Sequence, residues 1–161
     1  MKKIVSYMMT GILLLSFLLT GCGSPESQTG KKMSMYYINT AETKVEVHEQ
    51  YLNTKTLDEQ LDETMRYLST TPEKLEYKAP LDMGFRVLDY EVEDGKLLIN
   101  VDKAYSELSP TTEVLVRAAI VRTLTQLPNV KYVGITVEDS QLYDNAGEMV
   151  GWMNADQFIN N

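Results

Sequence analysis

Three side-chain types in this 161-residue chain could carry covalent or acid–base chemistry: one cysteine, one histidine and 23 carboxylates. The lone thiol, Cys22, cannot form an intramolecular disulfide. A cysteine thiolate is nevertheless a strong nucleophile near neutral pH, so Cys22 is a site for covalent attachment. His48 alone cannot build a His-based zinc cluster, and as a general base it would need a nucleophile and an orienting carboxylate beside it. It falls on the polar side of an alternating segment, the place of an ordinary surface histidine. Asp139, Asp144 and Glu148 could gather around a cation, yet their spacing departs from the alternating ligands of a calcium loop. Turn chemistry accounts for Asp144-Asn145. A pair of carboxylates about 5–9 Å apart could cleave a glycoside, a separation that no sequence measures. No phosphate-binding loop, dinucleotide fingerprint or nucleophile elbow is present. The residues therefore predict no catalytic group, no metal and no cofactor, and leave any ligand-binding residue unknown.

The position of Cys22 says what its thiol is for. Lys2 and Lys3 lead an apolar run from Ile4 to Leu19, the layout of a secretory signal, and the run is marginal for a permanent membrane span of about 20 residues. It ends in Leu19-Thr20-Gly21-Cys22, which resembles the bacterial lipobox. In proteins with that motif the thiol receives a diacylglyceryl group and the chain is cut before the cysteine, here between Gly21 and Cys22. Small residues there leave a protease room to reach the backbone. Two acyl chains, at roughly 0.8 kcal/mol per buried CH2, anchor stably where one is marginal. Residues 1–21 are thus expected to be a lipoprotein signal peptide, and Cys22 a lipidated (palmitate-type) membrane anchor on the extracytoplasmic face. Residues 22–32, with no apolar side chain after the cysteine beyond Pro25, read as a flexible tether, whose ten residues after Cys22 span at most ~35 Å.

Charge narrows the partners. Removing Lys2 and Lys3 with the leader leaves 13 basic against 23 acidic residues. So acidic a surface repels phosphate polymers and anionic headgroups, which excludes nucleic acid as a partner and any basic patch as the membrane attachment. It also serves simple solubility.

The folded part begins at Met33. Met33–Ile38 has strand composition, and Thr43–Tyr51 alternates, with Val45, Val47, Glu49 and Tyr51 on one face and Lys44, Glu46, His48 and Gln50 on the other. Thr56, with Glu59 three residues on, opens a helix by a capping-box pattern, and Leu57, Leu61, Thr64, Met65 and Leu68 form its apolar stripe. Asp58, Glu59, Asp62 and Glu63 lie outside that stripe as a solvated face. Pro72 and Pro80 punctuate a loop. Phe85–Glu93 and Lys96–Asp102 form a hairpin about Asp94-Gly95, a dipeptide suited to a type I′ turn. Leu88, Tyr90 and Val92 align on one side of it, as do Leu97, Ile99 and Val101. Ser109-Pro110 starts a second helix whose Val116, Ala119, Ile120, Thr123, Leu124 and Leu127 should face a sheet, with Arg117, Arg122 and Gln126 elsewhere. Val130–Glu138 is a strand, and Asp144–Gly147 a tight turn. The order β-β-α-β-β-α-β plus a short hairpin-like tail predicts an α+β fold, a mainly antiparallel or mixed sheet with two helices on one face.

The run Ile120-Val121-Arg122-Thr123-Leu124-Thr125-Gln126-Leu127-Pro128-Asn129-Val130-Lys131-Tyr132-Val133-Gly134-Ile135 resembles the most distinctive segment of the GerMN domain of sporulation and spore-germination proteins. The tail Leu142–Gly151, with Phe158-Ile159-Asn160, and the pairing of Asp94-Gly95 with Val101-Asp102 resemble the same family. The likeness covers residues 33–161, which form one such domain where the namesake carries two in tandem. Thr70-Thr71-Pro72 stands where the family often has Gly-Pro. The resemblance implies an α+β fold similar to ring-building modules of secretion and sporulation channels, and implies no catalytic residue.

Tyrosine is the remaining signal. There are ten, including Tyr36, Tyr37, Tyr51, Tyr67 and Tyr77 near strand edges, and aromatics with polar tips suit interfaces, although each can equally pack in the core with its hydroxyl reaching water. Trp152 is expected to anchor the tail in the core. Taken together these features predict a membrane-anchored, extracytoplasmic, non-enzymatic lipoprotein that binds an envelope protein or assembles with itself in sporulation, germination or envelope assembly. The alternatives are a binding lipoprotein for a peptidoglycan fragment or small solute, and a wall-acting hydrolase.

Overall fold

The computed structural model describes residues 30–71 and 76–158. The expected leader, Gly21 and Cys22, most of the tether, Pro72 and the terminal Ile159-Asn160 lie outside the described residues. The fold is α+β, as the periodicity predicts, but its strands form two sheets. The first holds β1 (Lys31–Asn39), β2 (Val45–Leu52) and the two-residue β3 (Tyr77–Lys78) in the order β2-β1-β3, all antiparallel. The second holds β4 (Val87–Glu93), β5 (Lys96–Val101), β6 (Tyr132–Val137) and β7 (Ser140–Gln141) in that order. Among the described strands only β5 and β6 pair in parallel, a pairing that needs a long crossover. The crossover runs through a 3-10 turn (Lys103–Glu107) and the helix α2 (Pro110–Leu124), while α1 (Leu57–Leu68) connects β2 to the loop before β3.

Both helix starts follow their local chemistry. The Thr56 hydroxyl accepts from the Glu59 N–H and the Glu59 carboxylate accepts from the Thr56 N–H, a complete capping box that satisfies donors otherwise left bare at a helix start. Ser109 caps α2 by accepting from Thr112 N–H at 3.2 Å, with Pro110 in the first turn. The Asp94-Gly95 turn has positive φ at both residues, 49° and 79°, as a type I′ hairpin requires.

The position of α2 explains why there are two sheets. It buries nine of its 15 residues, more than the single stripe of an ordinary surface helix, because it touches both sheets and α1. Its last turn and the residues just after it lie along the edge of β1. The Thr123 hydroxyl accepts from Tyr36 N–H at 3.1 Å, and the Gln126 amide bonds the Ser34 backbone. Strands of the second sheet cannot add where that edge is already hydrogen-bonded, so they pair among themselves. Gln126, expected to lie away from the sheet, is instead one of the groups that seals it.

Three further expectations are corrected. β1 starts at Lys31, two residues earlier than its composition suggests. On β2 the faces are reversed. Opposite residues of an antiparallel pair share a face, so Glu46, His48 and Gln50, opposite Tyr37, Met35 and Met33, lie on the side of the buried residues, while Val47 is 54 % exposed. β2 is an edge strand, and its inward polar groups reach water past the rim, a common way of blunting an edge. A register shift between Val87 and Asp89, the signature of a β-bulge, leaves Leu88 exposed while Tyr90 and Val92 keep their place against the core.

Candidate functional site

The second sheet and the tail that joins it carry the exposed side chains of Tyr132, Tyr143, Met149 and Trp152. The arrangement is built by alternation. Met153 joins β6 by two backbone bonds to Val133, each 2.8 Å, and its side chain is buried. One residue earlier, Trp152 must therefore point to the opposite side of the sheet. There its indole lies on Gly134. A Cβ at position 134 would come within 2.8 Å of the Trp152 ring and 3.2 Å of Leu98, so only glycine leaves room for the indole. The core position expected for Trp152 is thus not the one it takes: the residue is 42 % exposed.

The tail hairpin follows the same rule. Val150 N–H donates to Leu142 O at 2.9 Å, and both side chains are buried, whereas the bridged pair Tyr143 and Met149 are each 60 % exposed. The turn between them is held by Asp144, whose carboxylate accepts from Ala146 and Glu148 N–H at 2.9 Å. Trp152 forms a ridge between two hollows. One of about 240 Å³ lies toward Glu91, Glu93 and Lys96; one of about 320 Å³ lies toward Met149, Thr136 and Gln141.

Charge borders the ridge on one side. Register places Glu91 opposite Leu98 and Glu93 opposite Lys96, so both carboxylates share the Trp152 face, with Asp94 in the adjoining turn. Among the described residues none of these three is in an ion pair. The Lys96 ammonium stands 5.3 Å from the centre of the Trp152 ring, within reach of a cation–π attraction. At the far end the face is self-satisfied: the buried Asn100 donates to Asp89 at 3.0 Å and Asp139 at 2.8 Å and accepts from Asp139 N–H at 3.0 Å.

Beneath the face, a buried polar cluster joins the crossover to the tail. Glu113 faces Arg117, with Nε 2.6 Å from Oε1 but poorly aligned for a hydrogen bond, and Nη2 donating to Oε2 at 2.9 Å. Tyr105 donates to Glu113 at 3.1 Å. Burial first, and then the Glu113 charge, push the Tyr105 hydroxyl well above the usual tyrosine range. Arg117 also reaches toward the Met153 sulfur at 4.0 Å.

The residues singled out for chemistry do not converge. His48 lies half-buried on β2, and Asp139 and Asp144 are each engaged by their own neighbours. Among the described residues no three His, Cys, Asp or Glu side chains form a metal-sized group, and no helix is long and apolar enough to cross a membrane. Of the tyrosines named for interfaces only Tyr37 is buried, while Tyr36, Tyr51, Tyr67 and Tyr77 are half-buried. Tyr37 is fully buried and stacks with Tyr77, and Tyr36 carries the Arg122 guanidinium 4.2 Å from its ring centre. The exposed ones are Tyr132 and Tyr143. Alternation around Met153 and Val150 was the signal that could have placed Trp152 and Met149 outside.

Against known families, the Germane family model, described as sporulation and spore germination, matches residues 34–143. Among solved structures the fold is similar to the first GerMN domain of the sporulation protein GerM from Bacillus subtilis, with a TM-score of 0.60 and 14 % identity over 79 % of this chain and 98 % of that one. The tandem GerMN domains of the same protein match with a TM-score of 0.55 and 18 % identity over 84 % of this chain but 49 % of theirs, so this chain spans about half of the tandem. A structure from Clostridium perfringens described as that of a candidate lipoprotein matches with a TM-score of 0.52 and 19 % identity over 83 % of this chain and 93 % of that one. No curated protein matches.

Proposed function

This chain belongs to the Germane family of sporulation and spore germination, and from that premise we propose that its GerMN domain is a docking module held at the outer face of the cell membrane. Residues 1–21 are the cleaved leader, Cys22 carries the lipid, and the segment from 23 to the start of β1 is the tether. The lipobox-like Leu19-Thr20-Gly21-Cys22 supports this placement, and the structural likeness to a candidate lipoprotein agrees with it. The domain's work is to hold an envelope protein, or a second copy of itself, during sporulation or germination, without catalysis.

The observation that carries the docking role is the exposed set Tyr143, Met149 and Trp152 on one side of the second sheet. Aromatic residues and methionine are the types enriched where protein surfaces meet. The hollows beside Trp152, about 240 and 320 Å³, sit at or below the low end of pockets that enclose a small solute, so a protein surface is the better-matched partner. The test is cross-linking in intact vegetative and sporulating cells. A discrete larger species containing this chain is expected. Recovery of monomer alone in both states overturns the reading.

A further inference from the structure

Resting on the docking role just given, we propose that the Trp152 face receives a basic and apolar segment of a partner protein, its Lys or Arg side chains set against Glu91, Glu93 and Asp94. Two independent observations name this occupant. The first is charge. Glu91 and Glu93 are two residues apart on β4, hence about 7 Å apart along one face. Asp94 continues the row, and none of the three has a cationic partner within 4.0 Å among the described residues. Lys96, directly opposite Glu93, forms no ion pair with it.

The second is the place Lys96 takes instead. Its ammonium stands over the Trp152 ring at 5.3 Å, so the face already holds one cation against its aromatic ridge. An incoming guanidinium or ammonium can take over that position while its aliphatic neighbours cover Leu98 and Met149. An acidic segment would meet three carboxylates against the single ammonium of Lys96. Because the carboxylates are exposed, their attraction acts over about 10 Å at 0.1 M salt and weakens as salt rises, and it acts chiefly on the rate of encounter.

Trp152 is the only tryptophan, so its emission reports on this face directly. The full chain in zwitterionic detergent is titrated with two tryptophan-free peptides, one alternating Leu and Lys and the other Leu and Glu. The Lys peptide is expected to shift Trp152 emission saturably and the Glu peptide to leave it unchanged. Glu91→Lys with Glu93→Lys weakens the Lys peptide about tenfold or more, while Glu107→Lys, beyond the other end of β5, does not. Equal response to both peptides, or equal weakening by Glu107→Lys, overturns the proposal. In cells, a photo-cross-linking residue at position 149 separates this idea from the docking role beneath it. An adduct on a Lys- or Arg-rich segment that is lost in the double charge reversal supports the proposal. An adduct that survives the reversal, or maps to an acidic segment, overturns the basic partner and leaves docking standing. No protein adduct at all removes both.

Discussion

The side-chain amide of Gln126 pairs with the backbone of Ser34 as a neighbouring strand would: Oε1 accepts from Ser34 N–H at 3.0 Å and Nε2 donates to Ser34 O at 2.7 Å. Removing the amide leaves two part-buried backbone groups without partners, at a cost of about 1–3 kcal/mol. Gln126→Ala is therefore expected to lower the urea midpoint. Gln126→Glu, which keeps the shape but loses the donor, should recover little of the loss. A glutamate variant as stable as the parent would show that the bond to Ser34 O is unimportant.

Glu113 and Arg117 form a pair whose side chains are only 10 % and 14 % exposed. Taking away one partner of such a pair strands the other charge, at about 3–5 kcal/mol. Glu113→Ala should show that loss in denaturant melts, whereas Tyr105→Phe, which removes one hydrogen bond, should cost about 1 kcal/mol. Similar small losses for both would mean that water already reaches Arg117.

Acid should loosen the contact between the β1–β2 turn and α2. Glu42 receives hydrogen bonds from Lys78 and from the Thr112 hydroxyl, and the Lys78 bond first, then the Thr112 bond, hold its carboxyl below the ordinary glutamate value of 4.5. A group depressed in the folded state takes up its proton more readily when unfolded. Its contribution is complete well above pH 4.5 and is lost as pH falls below that value through the lower folded pKa. Stability measured from pH 6 down to pH 3 should fall less steeply for Glu42→Gln than for the parent. Identical slopes would remove Glu42 from the account.

Gly134→Ala tests the seat of the indole. The added methyl meets the Trp152 ring, so the ring must slide outward. The single-tryptophan emission should move to longer wavelength, with a stability loss of about 1 kcal/mol, at the low end of overpacking effects. Unchanged emission would place the indole off Gly134.

Cys22→Ser removes the nucleophile that the anchor requires. The variant is expected to run without the acyl mass and to appear in the medium or as uncleaved precursor, and mass spectrometry of the medium and of the membrane fraction reads the two outcomes. An unmodified Cys22 in the native protein would end the membrane placement.

Much of the architecture was legible in advance because it is local. The Thr56–Glu59 cap, the Asp94-Gly95 turn and the Ser109-Pro110 start each depend on residues a few positions apart, and the α2 stripe through Val116, Ile120 and Leu124 follows one period. What escaped depends on distant chain. The polar Gln126 looks like a solvated helix residue until β1 is brought alongside. Val47 looks like core because alternation gives two faces without saying which is inward, and on an edge strand neither is fully covered. The candidate site was the least readable part. Trp152 has a core residue's composition, and its outward position is set by Met153 pairing with Val133 some twenty residues earlier in the chain.

β1 is both the first strand of the described domain and the middle strand of its sheet. A pull applied at residue 30 would therefore enter along a strand held on both sides, by eight register pairs with β2 and by the bonds of Tyr36 to α2 and of Ser34 to Gln126 just beyond it. Force directed along such a strand loads its crosswise bonds together, whereas force at a sheet rim would open them one after another. The domain is thus arranged to resist unfolding by a pull from its N-terminal end.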